Sequence, residues 1–271
     1  EKAFVRVTLE SNLRKAIENE DFMLYYQPKF NALTNTIIGM EVLLRWEHEK
    51  MGFISPDDFI PIAEETGLII HLGKWILHQG MQHITAWKRQ GVNVGILSIN
   101  ISVMQLQEYH FVETLIQMLQ ETGCHADWLE LEVTEGQVMK NPEQTIQTLE
   151  KISNLGINIA IDDFGTGYSS LSYLKRLPID ILKIDRSFIK DIPYDEEDIA
   201  ISKGIIALAK SLNIEVIAEG VETEEQKIFL LDNDCHYIQG YLYSRPLPLV
   251  EIEKLIKELR NSVSLTHTYN I

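Results

Sequence analysis

The feature that most constrains the fold of this chain is a regular alternation of two hydrophobic patterns. Short runs rich in β-branched residues alternate with longer segments whose apolar residues recur at helical spacing. We predict strands over residues 23–28, 37–45, 94–101, 128–133, 157–162, 180–185, 214–219 and 236–241. Such alternation is typical of a parallel sheet, and eight βα units close a barrel of roughly 250 residues. The sequence therefore predicts a single α/β domain with a TIM-like (β/α)8 barrel.

The composition is that of a globular domain and excludes several other classes of protein. Of 271 residues, 45% are hydrophobic and 24% charged, and no apolar run reaches the ~18 residues that a membrane span needs. The net charge of −16 would repel a nucleic-acid backbone, so we expect no duplex DNA or RNA partner. The two cysteines, Cys124 and Cys235, form neither a disulfide framework nor a Cys-x-x-Cys site, which favours a reducing, cytoplasmic location.

The two ends of the chain suggest the domain boundaries. The chain opens with Glu1 and has no initiator methionine, so we interpret it as a fragment of a longer protein. We assign residues 1–260 to the barrel domain and residues 261–271 to a C-terminal tail, which its weak periodicity indicates to be frayed or artificial. Regulatory domains or a membrane attachment of the parent protein would lie outside this fragment, in which we predict no membrane segment.

Three segments have sequences typical of helix N-termini. Ser55-Pro56 and Asn141-Pro142 each place a capping side chain before a proline, with an acid or amide three residues after the cap. Thr223 is followed three residues later by Gln226, which is the spacing of a capping box. We therefore predict that helices begin after residues 55, 141 and 223.

Polar side chains recur where the predicted strands end. In a barrel, alternate residues of each strand point inward and emerge at the carboxyl ends of the strands, which we call the mouth. In strand 37–45 the apolar Met40, Val42 and Leu44 can face the helices, which turns Glu41 and Arg45 inward. The same reasoning places further polar residues at the mouth, namely Asn100, Glu132, Asp162, Asp163 on its turn, Lys183, Asp185, Glu219 and Gln239. Glu130 also points inward, below Glu132, and no role is assigned to it.

The chemistry of these side chains predicts a metal centre. One polar residue at a strand end is most simply a solvated rim residue, but the pattern recurs on seven strands. Burying five of these carboxylates without compensation would cost several kcal/mol per ion, so we expect a cation among them. The five are Glu41, Glu132, Asp162, Asp163 and Glu219. All candidate ligands are oxygens, which favours Mg²⁺ or Mn²⁺ over Zn²⁺ or copper. The adjacent Asp162 and Asp163 suit two metals about 3.5–4 Å apart that share a carboxylate, an arrangement that activates water for phosphoester hydrolysis.

The sequence around these positions resembles the EAL domains, the cyclic di-GMP phosphodiesterases of bacterial second-messenger signalling. Residues 41–45, Glu-Val-Leu-Leu-Arg, are similar to the motif that names the family, with Val42 where the family usually has Ala. Because Val42 is predicted to face the helices, this departure concerns packing and hardly touches the chemistry. The resemblance covers residues 9–259 and includes Asn100 and the segments 26–28, 132–135, 162–171, 183–185, 219–222 and 239–241.

The resemblance implies two metal sites. One metal would be held by four residues, Glu41, Asn100, Glu132 and Asp162. A second would be held by three, Asp162, Asp163 and Glu219. Glu219 has also been interpreted in the family as a general base, and we prefer the ligand role because water beside two metals needs less help to lose its proton.

The resemblance also implies roles for residues around the metals. Lys183 would orient or polarise the attacking water, Gln239 would hold a water at the site, and Glu222 would support the ligands as a neighbouring carboxylate. Gln27 and Arg45 would contact the phosphates of the substrate, Arg45 through a forked, charge-assisted grip. Residues 164–171 would form a mobile loop near the metals and near the interface of a homodimer, anchored by Glu135.

These roles imply a metal-dependent phosphodiesterase that hydrolyses cyclic di-GMP to linear 5'-pGpG. Two alternatives stay open. The first is a receptor that binds cyclic di-GMP without turnover, although such domains usually lack part of the acidic set and this chain lacks none. The second is an enolase-like, Mg²⁺-dependent isomerase or lyase, whose barrel also carries metal carboxylates and a lysine base. Asn100, the Asp162-Asp163 pair and Gln27 argue against this second alternative.

Overall fold

The computed structural model describes residues 2–167 and 171–268, with side chains described for residues 6–167 and 172–259. The strands, numbered β1 to β10, are Phe22–Asn31, Thr36–His48, Gly52–Ile54, Ile96–Asn100, Leu129–Thr134, Asn158–Phe164, Ile181–Ile184, Glu215–Ala218, Tyr237–Ile238 and Leu247–Pro248. The α-helices, numbered α1 to α11, are Lys2–Asn19, Pro56–Glu65, Leu68–Arg89, Val103–Leu106, Phe111–Thr122, Glu135–Val138, Pro142–Ser153, Leu171–Leu174, Glu196–Leu212, Glu224–Asp232 and Leu249–Thr268. Two short 3-10 turns cover Ala126–Trp128 and Arg186–Phe188.

Eight of the strands in the described part of the chain close into a barrel. The order around it is β1-β2-β4-β5-β6-β7-β8-β9, and β9 pairs with β1 to complete the ring. Strands β3 and β10 add to β2 and β1 outside the ring. Each predicted strand is found, and the predicted (β/α)8 barrel fold is confirmed.

The first strand differs from the predicted parallel sheet. Strand β1 runs antiparallel to both β2 and β9, whereas the other ring pairings are parallel. The physical reason is the short connection 32–35 between β1 and β2, which allows a hairpin but not the crossover of a dozen or more residues that a parallel pair needs.

The main hydrophobic core lies between the barrel wall and the surrounding helices. The outward-facing residues Met40, Val42, Leu129, Leu131 and Val133 are each 4% exposed or less. A Cβ added to Gly80 of α3 would lie 3.8 Å from the Val42 side chain, so Val42 packs against that helix as predicted. Because these apolar residues of β2 and β5 face the helices, the polar residues that alternate with them point into the barrel.

On strands β6, β7 and β8, the inside of the barrel changes from apolar to polar along the strand. Ala160, Ile181 and Ile217 are buried in a small apolar cluster separate from the main core. Two residues further along the chain, on the same inward side, come the residues of the mouth: Asp162, Lys183 and Glu219. On these strands, a small apolar cluster therefore lies directly below the polar side chains of the mouth.

The helix starts agree with the predicted positions, but the caps differ in detail. Helices α2, α7 and α10 begin directly after Ser55, Asn141 and Thr223. Thr223 and Gln226 form the reciprocal capping box, whereas Ser55 and Asn141 make no capping side-chain hydrogen bond. At those two helices, the proline at the first position and the acidic first turn suffice to set the start.

The C-terminal helix α11 continues to Thr268, so the backbone of residues 261–268 is helical, while residues 269–271 of the predicted tail lie outside the described residues. Among the described residues, no helix combines the length and the apolar character required to cross a membrane.

Candidate active site

The mouth of the barrel brings together the side chains that the strand ends predict. Five strands each contribute a residue or a pair, in the order β2, β4, β5, β6 and β7: Glu41, Asn100, Glu132, Asp162-Asp163 and Lys183. Glu219 and Gln239 follow directly after β8 and β9. Glu132 and Lys183 are completely buried, and Glu41, Asp162 and Gln239 are each 9% exposed or less. A cluster of this kind cannot be a solvated rim.

The carboxylates form two groups that could each hold a metal ion. Ligand atoms of Glu41, Glu132 and Asp162 all lie within 4.8 Å of one another, and so do those of Asp162, Asp163 and Glu219. Asp162 belongs to both groups, as expected for a shared ligand. Asn100 adjoins the first group, because its Nδ2 donates a hydrogen bond of 2.8 Å to Glu41 Oε1. The metal-ligating atoms of both carboxylate groups are oxygens, which suits a hard divalent cation.

Lys183 lies at the centre of the carboxylates. Its Nζ is 2.6 Å from Glu132 Oε2, 2.7 Å from Glu219 Oε1 and 3.2 Å from Asp162 Oδ2. A further carboxylate oxygen, Glu41 Oε2, lies 3.7 Å away. One ammonium group therefore serves four carboxylates and cannot neutralise them all.

The pKa values of these groups reflect that imbalance. Burial raises the pKa of Glu41 and raises that of Glu219 well above its usual value, despite the proximity of Lys183. Burial, together with the charges of Asp162 and Asp185, raises the pKa of Asp163 to about 6. For Lys183, burial lowers the pKa, but the surrounding carboxylates raise it well above its usual value, so this lysine stays protonated. The oxygen donors and this unbalanced charge both fit a bound cation.

An irregularity of β6 lets two consecutive carboxylates face the mouth. The register of β6 against β7 shifts between Ile161 and Phe164. Asp163 has a φ of 55°, a left-handed conformation that is uncommon for a residue other than glycine. In a regular strand adjacent side chains point to opposite faces, so this bulge is what aims both Asp162 and Asp163 at the same site.

The segment that follows β6 is attached to the neighbouring strand end. Glu135, the first residue of α6, accepts a hydrogen bond of 2.9 Å on Oε2 from the backbone N–H of Gly165. Glu135 is buried, and a Cβ on Gly167 would come within 2.9 Å of its Oε1. The predicted contact between Glu135 and the loop therefore exists in the described part, 164–167. Residues 168–170 of the predicted loop lie outside the described residues.

Gln239 and Gln27 link the mouth to the first strand. Gln239 Nε2 donates to Glu41 Oε2 at 2.6 Å and to Gln27 Oε1 at 3.1 Å. Gln27 Nε2 donates to the carbonyl of Ser244 at 3.1 Å. Both ends of the Gln27 amide therefore make a hydrogen bond within the protein, and its Nε2 has a second N–H that a phosphate oxygen could accept.

Two cavities flank the carboxylates. One, of about 490 Å³, is lined by Arg45 together with Asn100 and Asp162. The other, of about 540 Å³, is lined by Gln27, Gln239, Glu219 and Glu222. Asp163 lines both. The structure thus places Arg45 beside the carboxylates rather than among them, where its guanidinium lies 5.3 Å from the centre of the Tyr25 ring.

A second polar layer lies below the mouth, and most of it was not predicted from the sequence. We call Lys29, Ser98 and Glu130 the lower layer. Lys29 Nζ lies 2.6 Å from Ser98 Oγ, 2.8 Å from Glu130 Oε1 and 2.6 Å from Glu132 Oε1. Two sequence signals could have found Lys29. It lies on the inward side of β1, whereas the adjacent Pro28 faces outward, and the inward-facing carboxylate of Glu130 needs a cation beside it.

A model of the EAL domain family matches residues 10–246. The chain belongs to the EAL domain family. Relatives of this EAL domain include cyclic di-GMP phosphodiesterase NbdA of Pseudomonas aeruginosa, 41% identical over 96% of this chain and 33% of its own length. Cyclic di-GMP phosphodiesterase PdeR of Escherichia coli is 38% identical over 95% of this chain and 39% of its own length. The EAL domain therefore spans well under half the length of these two relatives.

A solved structure supports the same assignment. The PaMucR phosphodiesterase in complex with c-di-GMP is 42% identical and superposes with a TM-score of 0.87, covering 90% of this chain and 99% of that one. The agreement extends over nearly the whole barrel, so the family assignment does not depend on the short motif at Glu41 alone.

Proposed function

We propose that this EAL domain hydrolyses cyclic di-GMP to linear 5'-pGpG with two bound divalent cations, Mg²⁺ or Mn²⁺. The observation that carries the proposal is the pair of oxygen clusters that share Asp162 at a buried barrel mouth. The related phosphodiesterases NbdA and PdeR, and the PaMucR complex with c-di-GMP, support the choice of substrate. The two cavities that meet at Asp163 give room on both sides of the metals, as a ligand with two bases would require.

The ligands divide between the two cations. Four residues would hold the first: Glu41, Asn100, Glu132 and Asp162. Three would hold the second: Asp162, Asp163 and Glu219. When bound, the cations supply the positive charge that neutralises the phosphodiester and lowers the pKa of the attacking water. For Asn100 this role requires its amide oxygen to face the cluster, which is a rotation of the terminal amide.

The remaining side chains orient the reactants. Lys183 Nζ lies within 3.2 Å of Glu132, Asp162 and Glu219, so it would be placed to donate a hydrogen bond to the attacking water. Gln239 would hold a water beside Glu41, and Glu222 would supply a further negative charge at the edge of the site. Gln27 and Arg45 would contact the phosphates from the two cavities.

The proposal also covers the cellular location of the domain, its parent protein and its self-association. We place the domain in the cytoplasm because its two cysteines, which form no disulfide, suit a reducing compartment. The relatives NbdA and PdeR are much longer than the EAL domain, so we propose that the parent protein also carries regulatory domains. We also propose a homodimer whose interface lies near Glu135 and residues 164–171. Sedimentation of the purified chain would measure this self-association.

A turnover assay tests the function. The purified chain is incubated with cyclic di-GMP and Mg²⁺ or Mn²⁺, and 5'-pGpG is measured by chromatography. We expect hydrolysis that stops in excess chelator and returns when metal is restored, and we expect Ca²⁺ to inhibit because its coordination is looser. Binding of cyclic di-GMP without turnover would indicate a receptor instead. Undiminished turnover in chelator would contradict the metal assignment.

A further inference from the structure

Lys29 carries a buried ammonium group to which the proposed function assigns no role. It lies on β1, is 2% exposed, and its three Nζ protons face three acceptors, on Ser98, Glu130 and Glu132. Ser98 Oγ donates in turn to Glu130 Oε1 at 2.7 Å. Lys29 is therefore fixed in place by the rest of the lower layer.

The contact between Lys29 and Glu132 engages one particular oxygen. Lys29 holds Oε1 at 2.6 Å, whereas Lys183 contacts the other oxygen, Oε2, also at 2.6 Å. Lys183 in turn lies among Asp162, Glu219 and Glu41. With Oε1 held from below, Oε2 is the oxygen that Glu132 presents to the other carboxylates of the mouth.

We propose that Lys29 is a positioning residue of the metal centre, which clamps Glu132 by Oε1 and so aims Oε2 at the cation. Ser98 and Glu130 fix the position of Lys29 by accepting hydrogen bonds from its ammonium group. The inference rests on the proposed function in one respect, that a divalent cation is held by Glu132. Groups that orient a metal ligand typically change metal affinity about 10- to 100-fold when they are altered.

The variant must remove the clamp without leaving a buried charge unpaired. Lys29→Met alone would strand Glu130, and an unpaired buried carboxylate is strongly destabilising. The double variant Lys29→Met/Glu130→Gln removes one charge of each sign and deletes the contact to Glu132. The matched control is Glu130→Gln, because its amide oxygen can still accept from Lys29 and Ser98 and the clamp remains.

The test measures Mn²⁺ binding to the chelator-treated proteins by calorimetry, with thermal unfolding of the metal-free proteins alongside. We expect the double variant to fold, with a midpoint close to that of the control, and to bind Mn²⁺ about 10- to 100-fold more weakly than the control. We expect hydrolysis by the double variant to recover in part at high Mn²⁺ concentration.

Two results would overturn the proposal. Equal Mn²⁺ affinity in the double variant and the control would show that Glu132 needs no clamp. Failure of the double variant to fold would assign Lys29 a purely structural role. If the unaltered chain binds Mn²⁺ but does not hydrolyse cyclic di-GMP, the proposed function fails while the role of Lys29 is still decided by the binding data.

Discussion

The mouth and the lower layer of the barrel both include residues of β4 and β5, but their charges are balanced in opposite ways. In the lower layer, Lys29 is matched by Glu130, Ser98 and one oxygen of Glu132, all at 2.6–2.8 Å. At the mouth, Lys183 alone faces four carboxylates. The lower layer is thus satisfied by the protein itself, whereas the mouth has an excess of negative charge.

The difference separates what holds the barrel together from what makes it reactive. A buried ion pair whose donors and acceptors are all matched is tolerated and fixes its neighbours in place. An excess of buried carboxylates is balanced either by a cation from outside or by protonation, and the raised pKa values of Glu41 and Glu219 favour protonation while no cation is bound. Glu132 belongs to both regions, since Lys29 holds one of its oxygens and Lys183 the other. It connects the lower layer to the mouth.

The largest effect is expected when the mouth loses the ammonium group of Lys183. Lys183→Ala should lower the rate of cyclic di-GMP hydrolysis on the order of 10²- to 10³-fold, because a fixed donor to the reacting water is removed. Binding of cyclic di-GMP, measured by calorimetry with Ca²⁺, should persist. Lys210→Ala is the control, since Lys210 is 71% exposed and pairs only with Asp234 among the described contacts. Comparable rates for Lys183→Ala and the control would remove Lys183 from the mechanism.

An intermediate effect is expected when the excess charge is reduced. Asp163→Asn keeps a ligand oxygen but removes one negative charge, so the second cation should bind at least about tenfold more weakly while the first is retained. Altering even a group that only supports a metal ligand typically costs about 10- to 100-fold. Mn²⁺ titration calorimetry should show one site weakened. Asp127→Asn, on an exposed turn at the opposite end of the barrel, is the matched control. Two unaltered sites in Asp163→Asn would show that Asp163 is not a ligand.

The smallest effect is expected when the charges stay and only the geometry loosens. Glu135→Ala removes the acceptor of the Gly165 N–H, so the loop after Asp163 should move and metal affinity should fall about tenfold, the lower end for groups that orient ligands. Glu135→Gln retains an acceptor and should behave like the unaltered chain. Unchanged activity of Glu135→Ala across a Mn²⁺ titration would mean that the loop is held in another way.

Most of the mouth could be predicted from the sequence because the alternation along each strand is strict. Glu41, Glu132 and Lys183 alternate with apolar residues that must face the helices, so their direction follows from the pattern. The reversed β1 could not be read from periodicity, since alternation looks the same in both strand directions. The short connection 32–35 was the available signal.

Other features depend on contacts that no local pattern encodes. The left-handed Asp163 and the bulge of β6 arise from pairing with β7, which lies beyond a loop in sequence. The clamp of Lys29 on Glu132 joins residues 103 positions apart. The sequence shows which charges enter the barrel, but only the register of the closed sheet shows which of them meet.

Anomalous diffraction from crystals grown with Mn²⁺ tests the contrast between the two regions most directly. The account predicts two manganese peaks at the mouth, one among Glu41, Glu132 and Asp162 and one among Asp162, Asp163 and Glu219. It predicts no peak beside Lys29, where the charges are already matched. A mouth without manganese, or a manganese peak in the lower layer, would contradict it.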